Sequence, residues 1–350
     1  MIKKTKQSRF AFLGEINETT KKLLAINVVI FLLFTLLKPE KFPTLFNLKS
    51  MCFQFPEVGL FTIGIGMTML TAGADLSIVA VANLVATVDG IILLGIMPPG
   101  SGTSTVIMYL VICIIVDILI GFLCGCLNGL LVAKLGIFPI LATLGTQNLF
   151  TGISTILTKG QGVFGTFPEQ LIFVGSGNLF GFLPMPLVVF AITLLATYII
   201  IHHTPHGLKT QWFGSNSKAS FFSGIDNVKT VFRTYMMSSF IGAITGILIL
   251  ARTNSAKYDY GTSYVLQAML ASVFAGISPL GGKGNMLNIF LSVFAIQMLD
   301  SGFNFLRISS FVRSSTYGLL LIVGILIDYI MDKRKERRQI LEAAGTSSAN

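Results

Sequence analysis

Two aspartates, Asp75 and Asp117, lie in or beside long apolar runs, and a carboxylate there can hold a cation, relay a proton or serve backbone donors. Asp75 belongs to Thr-Ala-Gly-Ala-Asp-Leu-Ser at 71–77, a joint too short and too small for an ordinary loop between apolar runs. Two readings of it stay open. In one, Asp75 and Ser77 line or brace a path at a broken-helix turn. In the other, Asp75 caps the next helix by accepting from backbone N–H groups near Ser77 and Ile78. His202 and His206 are four apart, a spacing that can gather a metal, but Pro205 interrupts the face and no His-Glu-x-x-His occurs. They are expected at the membrane interface. Gly276 and the Leu-Gly-Gly-Lys-Gly at 280–284 suggest a phosphate loop, yet the register fails, because Gly282 stands where the lysine belongs and Gly284 follows Lys283. Cys52, Cys113, Cys124 and Cys126 show no metal spacing and read as packing residues. With no nucleophile set, metal set or paired carboxylates at catalytic spacing, the chain is not expected to be an enzyme or to hold a cofactor.

Uncharged polar side chains are the other chemical resource. Pro139 starts a helix that carries Thr143, Thr146, Gln147 and Asn148 within its span. Such groups bond between helices or face an aqueous path, and they suit a hydroxyl-rich neutral solute better than an ion. The longest polar interval between apolar runs, residues 204–233, carries Lys209, Lys218, Lys229 and Arg233. Inside it, residues 214–224 can form a short helix with Asn216 or Ser215 as N-cap and Gly224 as the left-handed terminator. That segment is either a docking helix for a soluble partner or a solvated turn.

The elements that position these residues are set by composition. Hydrophobic residues make up 53% of the 350 and charged residues 11%, against about 45–50% and about 25% in soluble domains. The apolar runs are helical in length, so an all-α, polytopic transmembrane helical bundle of about ten spans is expected. The spans are read at 23–37, 56–70, 76–97, 106–132, a segment opening with 137–148, 186–201, 231–250, a short run at 264–278, 286–299 and 317–330. Residues 42–55 and 159–184 are placed at the outer surface, and residues 300–315 are read as a linker. Gly121, Gly125 and Gly129, four apart, suit close helix packing. The formal charge of +10 sits at span ends and tails, which topology explains better than nucleic acid does. Lys21 and Lys22 before the first run and the basic stretch 332–338 after the last put both termini in the cytoplasm. The domain division is an N-terminal segment 1–22, a membrane domain 23–331 with a cytoplasmic loop at 204–230, and a basic tail 332–350. Lys3, Lys4 and Lys6 precede a polar segment with no small-residue cleavage site, so a cleaved signal peptide is not expected.

Three stretches together resemble one family, the ribose-type permeases of ATP-binding-cassette importers. Residues 64–77 resemble its segment ending in Gly-Gly-Ile-Asp-Leu-Ser, and Pro-Ile-Leu-Ala-Thr-Leu-Gly-Thr at 139–146 resembles its Pro-Phe-Ile-Ala-Thr-Leu-Gly-Thr helix. Residues 219–225, the glycine-rich 280–284 and a helix with Gly302, Asn304 and Leu306 follow in the family's order. The resemblance spans residues 58–328. It implies a bacterial inner-membrane permease that pairs with itself or a sister permease, binds two ATPase subunits and receives solute from an extracytoplasmic sugar-binding protein. ATP and Mg would then be bound by the ATPase partner. The implied solutes are monosaccharides or furanose-like signal molecules. The implied coupling helix maps to Gly214, Asn216, Ser217, Lys218, Ala219 and Gly224, and Asp75, Ser77, Thr143, Thr146, Gln147 and Asn148 are the candidate path.

The chain departs from that pattern at two places. Ala72 and Ala74 stand where the family has Gly and Ile, and Lys218-Ala-Ser replaces Glu-Ala-Ala at the coupling helix. A cation in a first helical turn opposes the dipole by about 0.3–1 kcal/mol. The departures point to a heteromeric permease with a more typical sister chain. The rival expectation is an ion-coupled secondary transporter using Asp75 and Asp117.

Overall fold

A computed structural model describes residues 18–347, so the expectation attached to Lys3, Lys4 and Lys6 lies outside the described residues. The chain begins with α1 (Glu18–Leu37), α2 (Leu45–Met69) and α3 (Ile78–Ile91), the last extended by a π-helical turn, Ile92–Ile96. Next come α4 (Thr103–Gly129), likewise extended through Leu130–Lys134, α5 (Pro139–Leu157), α6 (Glu169–Ser176) and α7 (Met185–His203). The second half holds α8 (Pro205–Ser215), α9 (Ser217–Phe222), α10 (Asn227–Thr253), α11 (Tyr264–Phe274), α12 (Asn288–Phe305) and α13 (Ser310–Ser347). Seven helices are long and apolar enough to cross a membrane: α1, α3, α4, α5, α7, α10 and the Ser310–Ile327 part of α13.

The hydrophobic inventory sorts these helices into an inner and an outer set. In the most apolar window, α3 and α10 are 78% and 72% buried, whereas α1, α4, α5, α7 and α13 are 11–28% buried and present leucine and isoleucine outward. At the centre lies α2, buried at every residue from Phe55 to Met69 and packed against α7, α10, α11 and α12. Gly121, Gly125 and Gly129 of α4 face Phe240, Met236 and Phe232 of α10, so the small-residue stripe is spent on packing within the chain.

Four local expectations are corrected. The second helix starts at Leu45 rather than at Pro56, so the segment 42–55 is mostly helix. Thr44 caps it by accepting from the Asn47 N–H, and Pro56 sits inside it. Proline removes one helical bond, but the adjacent Phe55 ring meets Phe190, Phe290 and Phe294 edge-on at 5.6–5.9 Å and holds the helix in the core. The linker read at 300–315 shrinks to residues 306–309, since Asp300 lies in α12 and Arg313 in α13, where the two side chains pair at 3.1 Å. The interval 204–233 is also mostly helical. Pro205 starts α8, its missing N–H being harmless at a first helical position. Lastly, Ser77 rather than Asp75 occupies the boundary position of α3 and makes no side-chain cap, although Asp75 does accept from the Ser77 N–H as the capping reading expects.

Residues 158–184 are an ordered cap. Val163–Phe164 pairs antiparallel with Ser255–Ala256, Asn178–Leu179 pairs with Leu183–Pro184, and Asn83 on α3 donates to the Tyr258 and Tyr260 carbonyls of the same end. The opposite end gathers the 71–77 turn, α8, α9 and the glycine-rich 278–285 loop.

Candidate functional site

The turn between α2 and α3 is built to place Asp75. Ala72 adopts φ 55°, the left-handed region that reverses the chain after α2. A non-glycine residue there carries about 1–2 kcal/mol of steric cost. The Asp75 N–H donates to Thr68 Oγ1 at 3.0 Å, which seats the turn on the last helical turn of α2. Asp75 is fully buried. Its Oδ1 accepts from the Ser77 N–H at 3.0 Å and the Ser77 hydroxyl at 2.7 Å, while Oδ2 accepts from Ser238 Oγ on α10 at 2.8 Å.

The network continues outward from that carboxylate. Asn128 Nδ2 on α4 donates to Ser77 Oγ at 2.7 Å, and Thr146 Oγ1 on α5 donates to Asn128 Oδ1 at 2.6 Å. One turn earlier on α5, Thr143 Oγ1 donates to the Ala74 carbonyl at 3.1 Å. One buried chain of hydrogen bonds thus ties the turn to α4, α5 and α10. Asp75, Ser77, Thr143 and Thr146 are brought together, with their hydrogen-bonding groups engaged by the protein. Gln147 and Asn148 are not part of it. Gln147 is half-buried and Asn148 is exposed on the outer face of α5, where Gly145 and Gly152 leave open space on either side.

The second group of predicted residues forms a separate projection. Asn216 adopts an extended backbone conformation and its side chain accepts from the Ala219 N–H at 3.0 Å, capping the six-residue α9. Gly224, at φ 78°, turns the chain out of it. Asn227 fastens α9 to α10, accepting from Ser220 Oγ at 2.8 Å and donating to the Ser217 carbonyl at 2.9 Å. Lys218 and Ala219 are exposed, and Phe221 and Phe222 remain 66% and 86% exposed.

These two groups meet through Gly214. Its α-carbon lies so close to the Leu70 carbonyl and the Gly282 N–H that a side chain could not be accommodated. The Gly282 N–H donates to the same Leu70 carbonyl at 3.0 Å. Gly214, Asn216, Ser217 and Lys218 also line a cleft of about 730 Å³ shared with Thr71, Ala72 and Pro139. The 280–284 loop is therefore a backbone clamp on α2, and its Lys283 carbonyl is bonded to the Ser278 N–H at 2.9 Å. Among the described residues no group of three or more His, Cys, Asp or Glu could hold a metal. His202 Nε2 accepts from the Met286 N–H and His206 Nε2 lies 3.5 Å from Thr234 Oγ1.

Several polar residues escaped sequence reasoning. Asn128 and Ser238 complete the Asp75 network, and their only linear signal is a polar residue inside an apolar run. Glu57, 1% exposed, forms a bidentate pair with Arg252, whose Nη2 lies 2.8 Å from Oε2. Asp117 on α4 is buried and faces the equally buried Asp89 of α3, with Cys113 beside the two carboxyls, and no described cation accompanies them.

Comparison with other proteins agrees with the motifs. Residues 47–327 match the family described as branched-chain amino acid transport system / permease component. The chain is 30% identical to the ribose import permease protein RbsC of Bacillus subtilis, over 86% of this chain and 89% of that one. It is 27% identical to the ribose import permease of Haemophilus influenzae over 88% and 92% of the two chains. To the autoinducer 2 import system permease protein LsrD of Photorhabdus laumondii it is 28% identical over 87% and 89%. No solved structure matches the chain.

Proposed function

The chain belongs to the permease-component family of branched-chain amino acid type transport systems, and from that membership we propose that it is the membrane-spanning subunit of an ATP-binding-cassette importer. The solute is a ribose-like monosaccharide or a sugar-like signal molecule, in keeping with the near full-length likeness to ribose and autoinducer 2 permeases. The partners are two ATPase subunits that bind ATP and Mg, a second permease and an extracytoplasmic sugar-binding protein. The chain crosses a bacterial inner membrane about ten times, α2, α11 and α12 adding to the seven helices named above as long and apolar enough to span it, with both termini inside.

The observation that carries this reading is α9, capped at Asn216, tied to α10 by Asn227 and ending in two exposed phenylalanines. An ATPase that grips α9 moves α8, and Gly214 of α8 bears directly on the carbonyl end of α2. Displacement there reaches Asp75 within five residues and is passed by its hydrogen bonds to α4, α5 and α10. In this mechanism Asp75, Ser77, Thr143 and Thr146 brace the moving turn, while Gln147 and Asn148 on α5 border the solute path with the second permease. Nucleotide shifts the outward and inward states only through its different affinity for them. Lys218, where a typical partner groove meets glutamate, favours a heteromeric pair in which the sister chain carries the usual acid.

Uptake by proteoliposomes holding the permeases, the ATPase and the binding protein tests the reading. Radiolabelled ribose or autoinducer 2 should enter only with internal ATP and should persist when ionophores collapse all ion gradients. The buried carboxyl pair Asp89 and Asp117 favours the rival, an ion-coupled transporter, and uptake that stops with the ion gradient while ATP remains would establish it instead.

A further inference from the structure

A second basic feature lies beside the coupling segment and plays no part in that mechanism. Where α7 turns into α8, and α10 begins next to them, a cavity of about 320 Å³ opens between Pro205, His206 and Lys209 on one side and Asp226, Lys229 and Arg233 on the other. Lys229 and Arg233 are four apart on α10, so both point from one helix face toward the Lys209 face of α8. None of the three cations is in an ion pair among the described residues. The one carboxylate on the wall, Asp226, accepts from the Lys229 N–H at 2.9 Å and caps α10. With His206 neutral, the wall carries two net positive charges.

The surroundings are set for an anion in other ways. Thr204, at the N-cap of α8, donates its hydroxyl to the Ile200 carbonyl at 2.6 Å and leaves the first-turn N–H groups of α8 without a side-chain cap. Those groups and the helix dipole add positive potential at the Pro205 end of the cavity. His206 registers the same field: burial first, then Arg233 and Lys209, hold its imidazole below the usual pKa. The location is equally specific, because α7 and α10 both have the length and apolarity of membrane spans and the cavity lies at their shared end. The ends of membrane spans stand at the level of lipid headgroups.

We propose that the cavity formed by Lys209, Lys229 and Arg233 between α8 and α10 is a binding site for a phosphate ester, supplied by an anionic lipid headgroup or by a soluble phosphorylated compound. Lysine and arginine converging on a net-positive cavity match the charge and acceptor oxygens of a phosphate, and three such side chains from two helices give it defined geometry. Occupancy would tie α8, and the α9 that follows it, to the membrane surface. The binding itself does not depend on the transport reading.

The test uses the full-length chain purified in detergent and placed in nanodiscs. Probes are phosphatidylglycerol, with phosphatidylcholine as the net-neutral control, and glycerol 3-phosphate as the soluble ester. Native mass spectrometry and titration calorimetry read the binding. Phosphatidylglycerol should bind in preference to phosphatidylcholine, and the variant K209Q/K229Q/R233Q should bind it at least about tenfold more weakly. The charge-conserving variant K209R/K229R/R233K should retain the preference, and all three proteins should elute as the same species, so that a loss is not misfolding. Binding of glycerol 3-phosphate instead of lipid, with the same dependence on the three cations, upholds the site and assigns a soluble ligand. Equal phosphatidylglycerol binding by wild type and the neutral variant, or no binding of either phosphate probe to wild type, overturns the proposal.

Discussion

The Asp75 carboxylate and the Ser238 hydroxyl, 163 residues apart in the chain, meet at 2.8 Å in a fully buried environment. That bond joins the α2–α3 turn to the middle of α10, the helix whose first turn is fastened to α9. It is therefore the point at which a movement begun outside the membrane would be held by the interior.

Asp75→Ala should destabilise the protein by about 2–4 kcal/mol, because it strands Ser77 and Ser238 as well as removing the carboxylate. Ser238→Ala, which removes one donor, should cost about 1–2 kcal/mol. Unfolding in detergent measures both, and the double variant should fall short of their sum by about 1 kcal/mol if the two residues interact as described.

Ala72→Gly should stabilise the chain. The alanine stands at φ 55°, and glycine removes that steric cost while adding unfolded-state entropy, for a net gain of about 0.5–1 kcal/mol. A rise in melting temperature checks it; an unchanged or lower one would show that the turn is not strained in solution.

Two substitutions in α9 separate its stability from its contact surface. Asn216→Ala removes the cap and should fray α9 at a cost of about 1 kcal/mol, lowering uptake without loss of the folded membrane domain. Phe222→Ala leaves the cap intact but removes an 86% exposed ring, so it should weaken co-purification of the ATPase by roughly tenfold or more if the ring is an interface anchor. Wild-type recovery of the ATPase with both Phe221 and Phe222 truncated would displace α9 as the docking element.

Asp117→Asn should be neutral or mildly stabilising, since it replaces one of two facing buried carboxyls, Asp117 and Asp89, with a neutral group of similar volume. Thermal stability and ATP-driven uptake, measured together, check this. Intact stability with lost uptake would instead make Asp117 a working group and favour ion coupling.

Arg252→Met should cost about 3–5 kcal/mol by leaving Glu57 buried without its counter-charge, and adding Glu57→Gln should recover much of that loss. Equal stability of the single and double variants would mean that water already solvates Glu57.

What could be read from the sequence was what neighbours in the chain decide. Hydropathy over a span, proline at the start of α5, the Asn216 cap and the left-handed Gly224 each depend on a few adjacent residues, and the structure has them at those positions. Errors fell where a local rule met tertiary packing. Pro56 reads as a helix start, yet the aromatic contacts of Phe55 hold the helix through it. The polarity of residues 204–215 reads as loop, yet α8 packs against α7 and α10 and folds.

By itself, then, the sequence determined that this is a helical membrane chain, where its capped projection lies and which family's motifs it carries, because burial in lipid and helix capping are short-range requirements. Only the tertiary structure decided that Asp75 is shared among Ser77 and Ser238, that Asn128 links it to Thr146, and that Asn148 is left facing outward. Those outcomes depend on which helix faces come together over distances of up to 163 residues, and a buried polar group takes the partner that packing brings to it.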